Sequence, residues 1–241
     1  MARAVSTLLK KKQPRGDRGL ESAALLAAAL GLMERTGAEN FSLRAAAREI
    51  GCDAAALIYH FGSREGLERA IADRLHAGIV PPPTSWSWRE RLFDMARQYR
   101  AVAQAYPRTF PLLMRYWTTG PQDLRLCDET FAALSKSGIP DHLIPAAECG
   151  FYAALLGLCA GEAGGLTGRP GREALLEIKS TPGLAMMPKL MPAIRNLGAD
   201  IVFETQIMVM LDGLEALARQ KKAKPRAAGK SKQAEAGRKR S

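Results

Sequence analysis

Arg44, Tyr59 and His60 place three kinds of polyanion chemistry within a short span of the chain. A guanidinium takes a phosphate or the edge of a base, and a phenol or an imidazole hydrogen-bonds a phosphate oxygen. Between them lies Ala54-Ala55-Ala56, which offers a double helix only apolar contact with thymine methyls. His60 has a second reading, as a ring packed against the preceding helices. Catalysis finds no constellation to rest on. His60, His76 and His142 are isolated, and no HExxH or GxSxG string occurs. Gly161-Glu162-Ala163-Gly164-Gly165 lacks the Lys-Ser/Thr of a phosphate-cradling loop. Cys52, Cys127, Cys149 and Cys159 lie far apart, without a CxxC pair, which argues against a zinc finger or a secreted disulfide framework. The residues read as those of a binding protein, not an enzyme, and require no cofactor or metal.

To meet DNA, Arg44 and the alanines must stand at a corner between two helices. Ser42 caps a helix predicted over Leu43–Ile50, whose inward face is Leu43, Ala46, Ala47 and Ile50. Gly51 permits a sharp turn, and Asp53 caps a second helix, Ala54–His60, with Leu57 and Phe61 inward. A supporting helix over Gly19–Arg35 precedes the pair, stopped by Gly37, and one over Arg64–Gly78 follows it, capped by Ser63. This is helix-turn-helix spacing, in which the first helix braces and the second lies in the major groove. Pro81-Pro82-Pro83 then forms a stiff boundary.

Beyond the prolines the pattern stays helical. Segments are predicted over Trp88–Ala105, from Pro107 to about Thr118, and over Gln122–Ser137, Asp141–Glu162 and Ala199–Gln220. Residues 163–198 are rich in Gly, Pro and Met, with short helices near 171–179 and 187–197; they read as a gate or a loop. Tyr99, Val102, Tyr106, Phe110 and Met114, with Trp117, Phe151, Tyr152 and Leu155, are candidates to line an apolar effector cavity. Each taken alone also fits an ordinary core. Glu148 reads as a polar ligand group or half of an interface ion pair, and Cys149 and Cys159 as buried packing residues.

The chain has 241 residues, 47% hydrophobic and only 6% aromatic, with abundant Ala and Leu. Its net charge of +11 belongs to its ends. Residues 1–18 and 220–241 are strongly basic, while the body between them is slightly acidic. The division expected is a basic disordered arm (1–18), a helix-turn-helix head (19–80), a larger helical domain (84–219) and a basic disordered tail (220–241). The ends fit a role in solubility, in phosphate attraction or in binding an acidic partner. No apolar run reaches about 18 residues; Ala146–Gly161 comes nearest and Glu148 interrupts it. A cytoplasmic protein without a membrane partner is expected.

Ala27–Gly37 (AAALGLMERTG), Phe41–Gly51 (FSLRAAAREIG), Leu57 and His60–Leu67 (HFGSREGL) together resemble the TetR (tetracycline-repressor) family of bacterial transcription regulators. Phe203-Glu204 and Leu211–Leu217 (LDGLEAL) resemble the closing helix of many members. The resemblance implies an all-α fold: a three-helix helix-turn-helix head followed by a larger helical domain that binds a small-molecule effector and dimerises. It implies a homodimer on double-stranded DNA with a near-palindromic operator, acting as a repressor. It also implies a DNA-contact set of Ser42, Arg44, Ala54, Ala55, Tyr59, His60 and Arg64, with Arg64 at the family's basic phosphate contact. The match departs from the family at Cys52, at Asp53, and at Ile58, where a phosphate-contacting tyrosine is usual. Direct readout is therefore expected to be thin. The competing class is an interaction protein that keeps the fold but no longer reads an operator.

Overall fold

The computed structural model describes residues 18–219, and it is all-helical over that span. The two basic ends expected to be disordered thus lie outside the described residues, except Arg18, which opens the first helix. The helices are α1 (Arg18–Thr36), α2 (Leu43–Ile50), α3 (Ala54–Phe61), α4 (Arg64–His76), α5 (Trp88–Ala105), α6 (Pro121–Ser135), α7 (Ile144–Ala163), α8 (Arg172–Ser180), α9 (Met186–Arg195) and α10 (Ala199–Arg219).

Local chemistry fixes the boundaries of the small helices. The Ser42 hydroxyl accepts from the Ala45 N–H at 3.1 Å and starts α2. Gly51 ends it in the left-handed region (φ 76°), where its N–H returns to the Ala47 and Arg48 carbonyls. Asp53 accepts from the Ala55 N–H at 3.0 Å to start α3, and Ser63 accepts from the Gly66 N–H at 3.0 Å to start α4. Met33, Ala46, Leu57, Leu67 and Ile71 close over one another as the core of the head.

In the larger domain α5 packs along α7, and α6 and α10 flank α7 on either side. Arg100 on α5 ties this group together. Its guanidinium lies 4.6 Å above the Phe203 ring of α10, grips Glu162 of α7 at 2.7 and 2.8 Å, and reaches Asp200 at 2.6 Å.

Two expected helices are built differently. The segment from Pro107 to Thr118 forms only a 3-10 turn over Phe110–Met114. Pro111 has no N–H to give the carbonyl four residues back, which costs an α-helix one of its first backbone bonds, and the chain takes a 3-10 turn instead. Asp141–Leu143 is likewise a separate 3-10 turn before α7, which begins with Pro145 in its first turn. The segment Asp141–Ala163 runs through Glu148 and holds an 18-residue stretch of mean hydropathy 1.6, so it is long and apolar enough to cross a membrane by length and composition. It is longer than the apolar run visible in the sequence. Here it packs between α5, α6 and α10.

Candidate nucleic-acid interface and effector region

At the α2–α3 corner, Leu57 and Phe61 turn inward and Ala54 packs beside them, leaving Ala55, Ile58 and Tyr59 on the opposite side. Ile58 is 48% and Tyr59 71% exposed. Ser42, Arg44 and Arg48 are exposed on the neighbouring α2. His60 is half-buried beside the rings of its chain neighbours Tyr59 (5.4 Å, edge-on) and Phe61 (6.2 Å). Arg64 has partners inside the protein: Nε donates to Glu68 at 2.7 Å and Nη2 to the Ala38 carbonyl at 3.2 Å.

Glu68 is 3% exposed and anchors the head to the larger domain. Besides Arg64 it accepts from Arg115 Nη1 and the Tyr116 hydroxyl, each at 2.7 Å. Burial alone would push its carboxyl up, but the hydrogen bonds from Tyr116, Arg64 and Arg115 outweigh burial and hold it below the usual carboxylate range.

One and two turns further along α4 lies a second anchor. α6 opens at Gly120 with no side-chain cap of its own, and Asp73 of α4 caps it from outside. Its carboxylate accepts from the N–H groups of Gln122 (2.9 Å) and Asp123 (3.2 Å). His76, in the last turn of α4, is buried with both ring nitrogens engaged, one with Thr119 Oγ1 and one with the Tyr152 hydroxyl, each at 3.0 Å. Burial lowers its pKa, against the opposing pull of Asp123 (3.5 Å) and Asp73. Tyr99 stacks edge-on with both His76 (5.9 Å) and Tyr152 (5.6 Å), and burial raises both phenol pKa values. A cleft of about 230 Å³ opens beside this cluster, lined by His76, Ile79, Pro81, Gln122, Leu126 and Glu129 among others.

Two family models match this chain. Residues 25–71 match "Bacterial regulatory proteins, tetR family", and residues 80–218 match "Tetracyclin repressor-like, C-terminal domain", which is more than half of the chain. The chain belongs to the TetR family. Its members are DNA-binding transcription regulators, with a helix-turn-helix head and a larger helical domain. A curated HTH-type transcriptional regulator of Saccharopolyspora erythraea is 24% identical over 129 residues, covering 53% of this chain and 55% of the relative. The chain thus spans about half the length of that relative. The Streptomyces coelicolor TetR family protein ActR, solved with actinorhodin, superposes with a TM-score of 0.71 at 22% identity, covering 83% of this chain and 98% of ActR. BioQ, solved with its double-stranded DNA operator, superposes at 0.61 with 19% identity, covering 81% of this chain and 98% of BioQ. At these identities the two likenesses speak to the fold.

For this TetR-family chain, the structure brings part of the expected effector set together. Tyr99 and Tyr152 meet beside His76, and Phe151 and Leu155 are buried along α7. Phe110 is buried too, while Val102 and Tyr106 are half-buried against the core. Met114 is half exposed and Trp117 is 95% exposed. The 3-10 turn breaks the helical register that would have set these two beside Phe110. Glu148 is half-buried, and its carboxyl is pushed up by burial and by Asp123, with the Cys127 thiol pulling the other way. Cys159 is buried as expected, whereas Cys149 is exposed because it falls on the outer side of α7.

Sequence reasoning missed Asp73, Glu68 and His76 as a group. Ile58 it registered only as a departure. The signal for Ile58 was its position one residue past the inward Leu57, three past Ala55. For the α4 anchors the one local signal is the i,i+4 pair Arg64–Glu68; their other partners lie more than forty residues away.

Proposed function

We propose that this TetR-family chain is a homodimeric repressor of a near-palindromic operator, released by a small, largely apolar effector bound in the domain spanning 84–219. The head, residues 19–80, contacts DNA through Ser42, Arg44, Ala55, Tyr59, His60 and Arg64; Ala54, expected in this set, packs on the core side of α3 and is left out of it. For Arg64 to reach a phosphate, it must lend part of its guanidinium while holding Glu68.

The observation that carries the dimer is the bare face of α7 and α10. Ala146, Gly150, Ala153, Ala154 and Gly157 form one exposed strip along α7, while Ile201, Met208 and Val209 form another along the adjoining α10. A helix as apolar as α7 with one side uncovered calls for a mate. Small residues allow the backbones of two copies to approach closely, and a two-fold axis through the strip makes a four-helix contact. Two heads held in this way present paired α3 helices to successive major grooves.

The effector reading is supported by where Tyr99 and Tyr152 stand. A ligand competing for the Tyr152 hydroxyl strips a partner from His76 and so acts on α4, the helix that carries the head. It releases DNA only if it binds the DNA-free geometry more tightly. A second reading, an interaction protein with a drifted head, is favoured by the scarcity of hydrogen-bond donors on α3.

Selection of random duplexes with the full chain, followed by footprinting, separates the two. A protected palindrome supports the repressor, and salt-sensitive, sequence-blind binding supports the drifted head. Val209→Asp, on the bare face, is expected to yield monomers in sedimentation and to abolish the footprint. A monomeric wild-type protein at micromolar concentration overturns the dimer.

A further inference from the structure

We propose that this chain reads its operator chiefly through the 5-methyl groups of thymine, using an apolar stripe on α3 formed by Ala55, Ile58 and the ring of Tyr59. The inference rests on the DNA-reading assignment above and names the base that the assignment leaves open.

α3 has two unlike sides. The inward side carries Leu57, fully buried, with Ala54 and Phe61 packed on the core. On the outward side, at spacing i, i+3 and i+4, stand Ala55, Ile58 and Tyr59. An exposed helix face in a water-soluble head is ordinarily polar, and this one is not. Its sole hydrogen-bonding side-chain group is the Tyr59 hydroxyl, near the C-terminal end of the helix. Asp53 also takes up the N–H of Ala55, so the start of α3 keeps that donor for itself.

A base pair in the major groove shows hydrogen-bonding atoms and one apolar feature, the thymine methyl. Guanine and adenine are usually read by bidentate Arg, Lys, Asn or Gln, and α3 carries none of these. Ile58 and Ala55 match only the methyl. Polar contacts are left to the exposed arginines of α2, Arg44 and Arg48.

The test begins with a duplex enriched from a random pool by the full chain. That duplex is then resynthesised with deoxyuridine for thymine in both half-sites, which deletes the methyls and leaves every hydrogen-bonding atom in place. At fixed salt, Kd is expected to rise about fourfold for each contacted methyl, following the transfer free energy of about 0.8 kcal/mol per buried CH₂ group. Two contacts in each half-site, four in all, would give a loss of roughly 200-fold. Ile58→Ala is expected to weaken binding to the thymine duplex and to cost nothing further on the deoxyuridine duplex. Equal Kd for the two duplexes, or an equal Ile58→Ala loss on both, overturns methyl readout while leaving sequence-specific binding intact. Failure to enrich any duplex overturns it together with the DNA-reading assignment.

Discussion

Replacing Glu68 should uncouple the head from the larger domain at a cost that its geometry bounds. The carboxylate accepts three hydrogen bonds of 2.7 Å, from Arg64, Arg115 and Tyr116, and is almost wholly buried. Bonds to a charged group contribute about 1.5–3 kcal/mol each, which sets a gross upper range of roughly 4–9 kcal/mol. Both arginines are about half exposed, so after Glu68→Ala they regain water and recover much of that sum. A net loss of about 2–4 kcal/mol remains, equivalent to roughly 4–16 °C in Tm for a chain of this size. Urea and thermal unfolding of Glu68→Ala, Arg115→Ala and the double variant measure it. The cycle should return a coupling of about 1–2 kcal/mol between Glu68 and Arg115. The carboxyl pKa is lower in the fold than in the unfolded chain. Its stabilisation is therefore complete above the unfolded pKa and disappears as pH falls through the folded one, and Glu68→Gln should flatten that acid limb. A loss under 1 kcal/mol with no coupling would refute the view that Glu68 clamps α4 to the larger domain.

His76 makes a prediction in a different window. Its ring binds a proton less readily in the fold, so stability should be full above the unfolded pKa near 6.5 and fall as pH drops towards the folded value; a urea midpoint unchanged between pH 7.5 and 5.5 would contradict this. Arg91 is fully buried and holds Glu129 at 2.6 Å, yet its Nε and Nη1 have no acceptor among the described residues. Because Glu129 can rehydrate, Arg91→Met should leave stability within about 1 kcal/mol of wild type or raise it, and calorimetry showing a loss above 3 kcal/mol would contradict that. Arg44→Ala, at an exposed site outside the core, should weaken binding to a selected operator at least tenfold with Tm unchanged. Equal affinity would remove Arg44 from the contact set.

What could be read in advance follows from the range of the forces involved. Ser42, Gly51, Asp53 and Ser63 act on backbone groups within four or five residues of themselves, so α2 and α3 begin at the residues their caps specify and α4 starts at Arg64. Trp88–Ala105 was legible from its apolar stripe of Leu92, Met95, Ala96, Tyr99 and Val102, and the structure adds a Ser87–Glu90 capping box at its start. The turn at Phe110–Met114 was missed because Pro107 reads as the first-turn residue of an α-helix, while Pro111 withholds the N–H that the next turn needs. The α4 anchors were not legible. Asp73 is an ordinary solvent-type residue until α6 brings Gln122 and Asp123 to it, and Gly120 shows no periodic signal. Yet a Cβ at Gly120 would stand 2.7 Å from the Asp73 carboxylate, so the cap depends on that absence.

These anchors also bear on how a signal can reach the head. Arg64, Glu68, Asp73 and His76 succeed one another along α4, and each holds a different point: the Ala38 carbonyl, Arg115 with Tyr116, the start of α6, and Tyr152 of α7. A helix of this length moves nearly as a rigid rod, so a change at its last turn cannot be absorbed locally while the Glu68 anchor holds. The rod must pivot about Glu68 or break it. In the proposed repressor, a ligand that displaces Tyr152 from His76 therefore frees one end of a lever whose other end lies in the head. Glu68 sets whether that end swings or stays, so weakening Glu68 should loosen operator binding in the absence of effector and reduce the further change that effector produces.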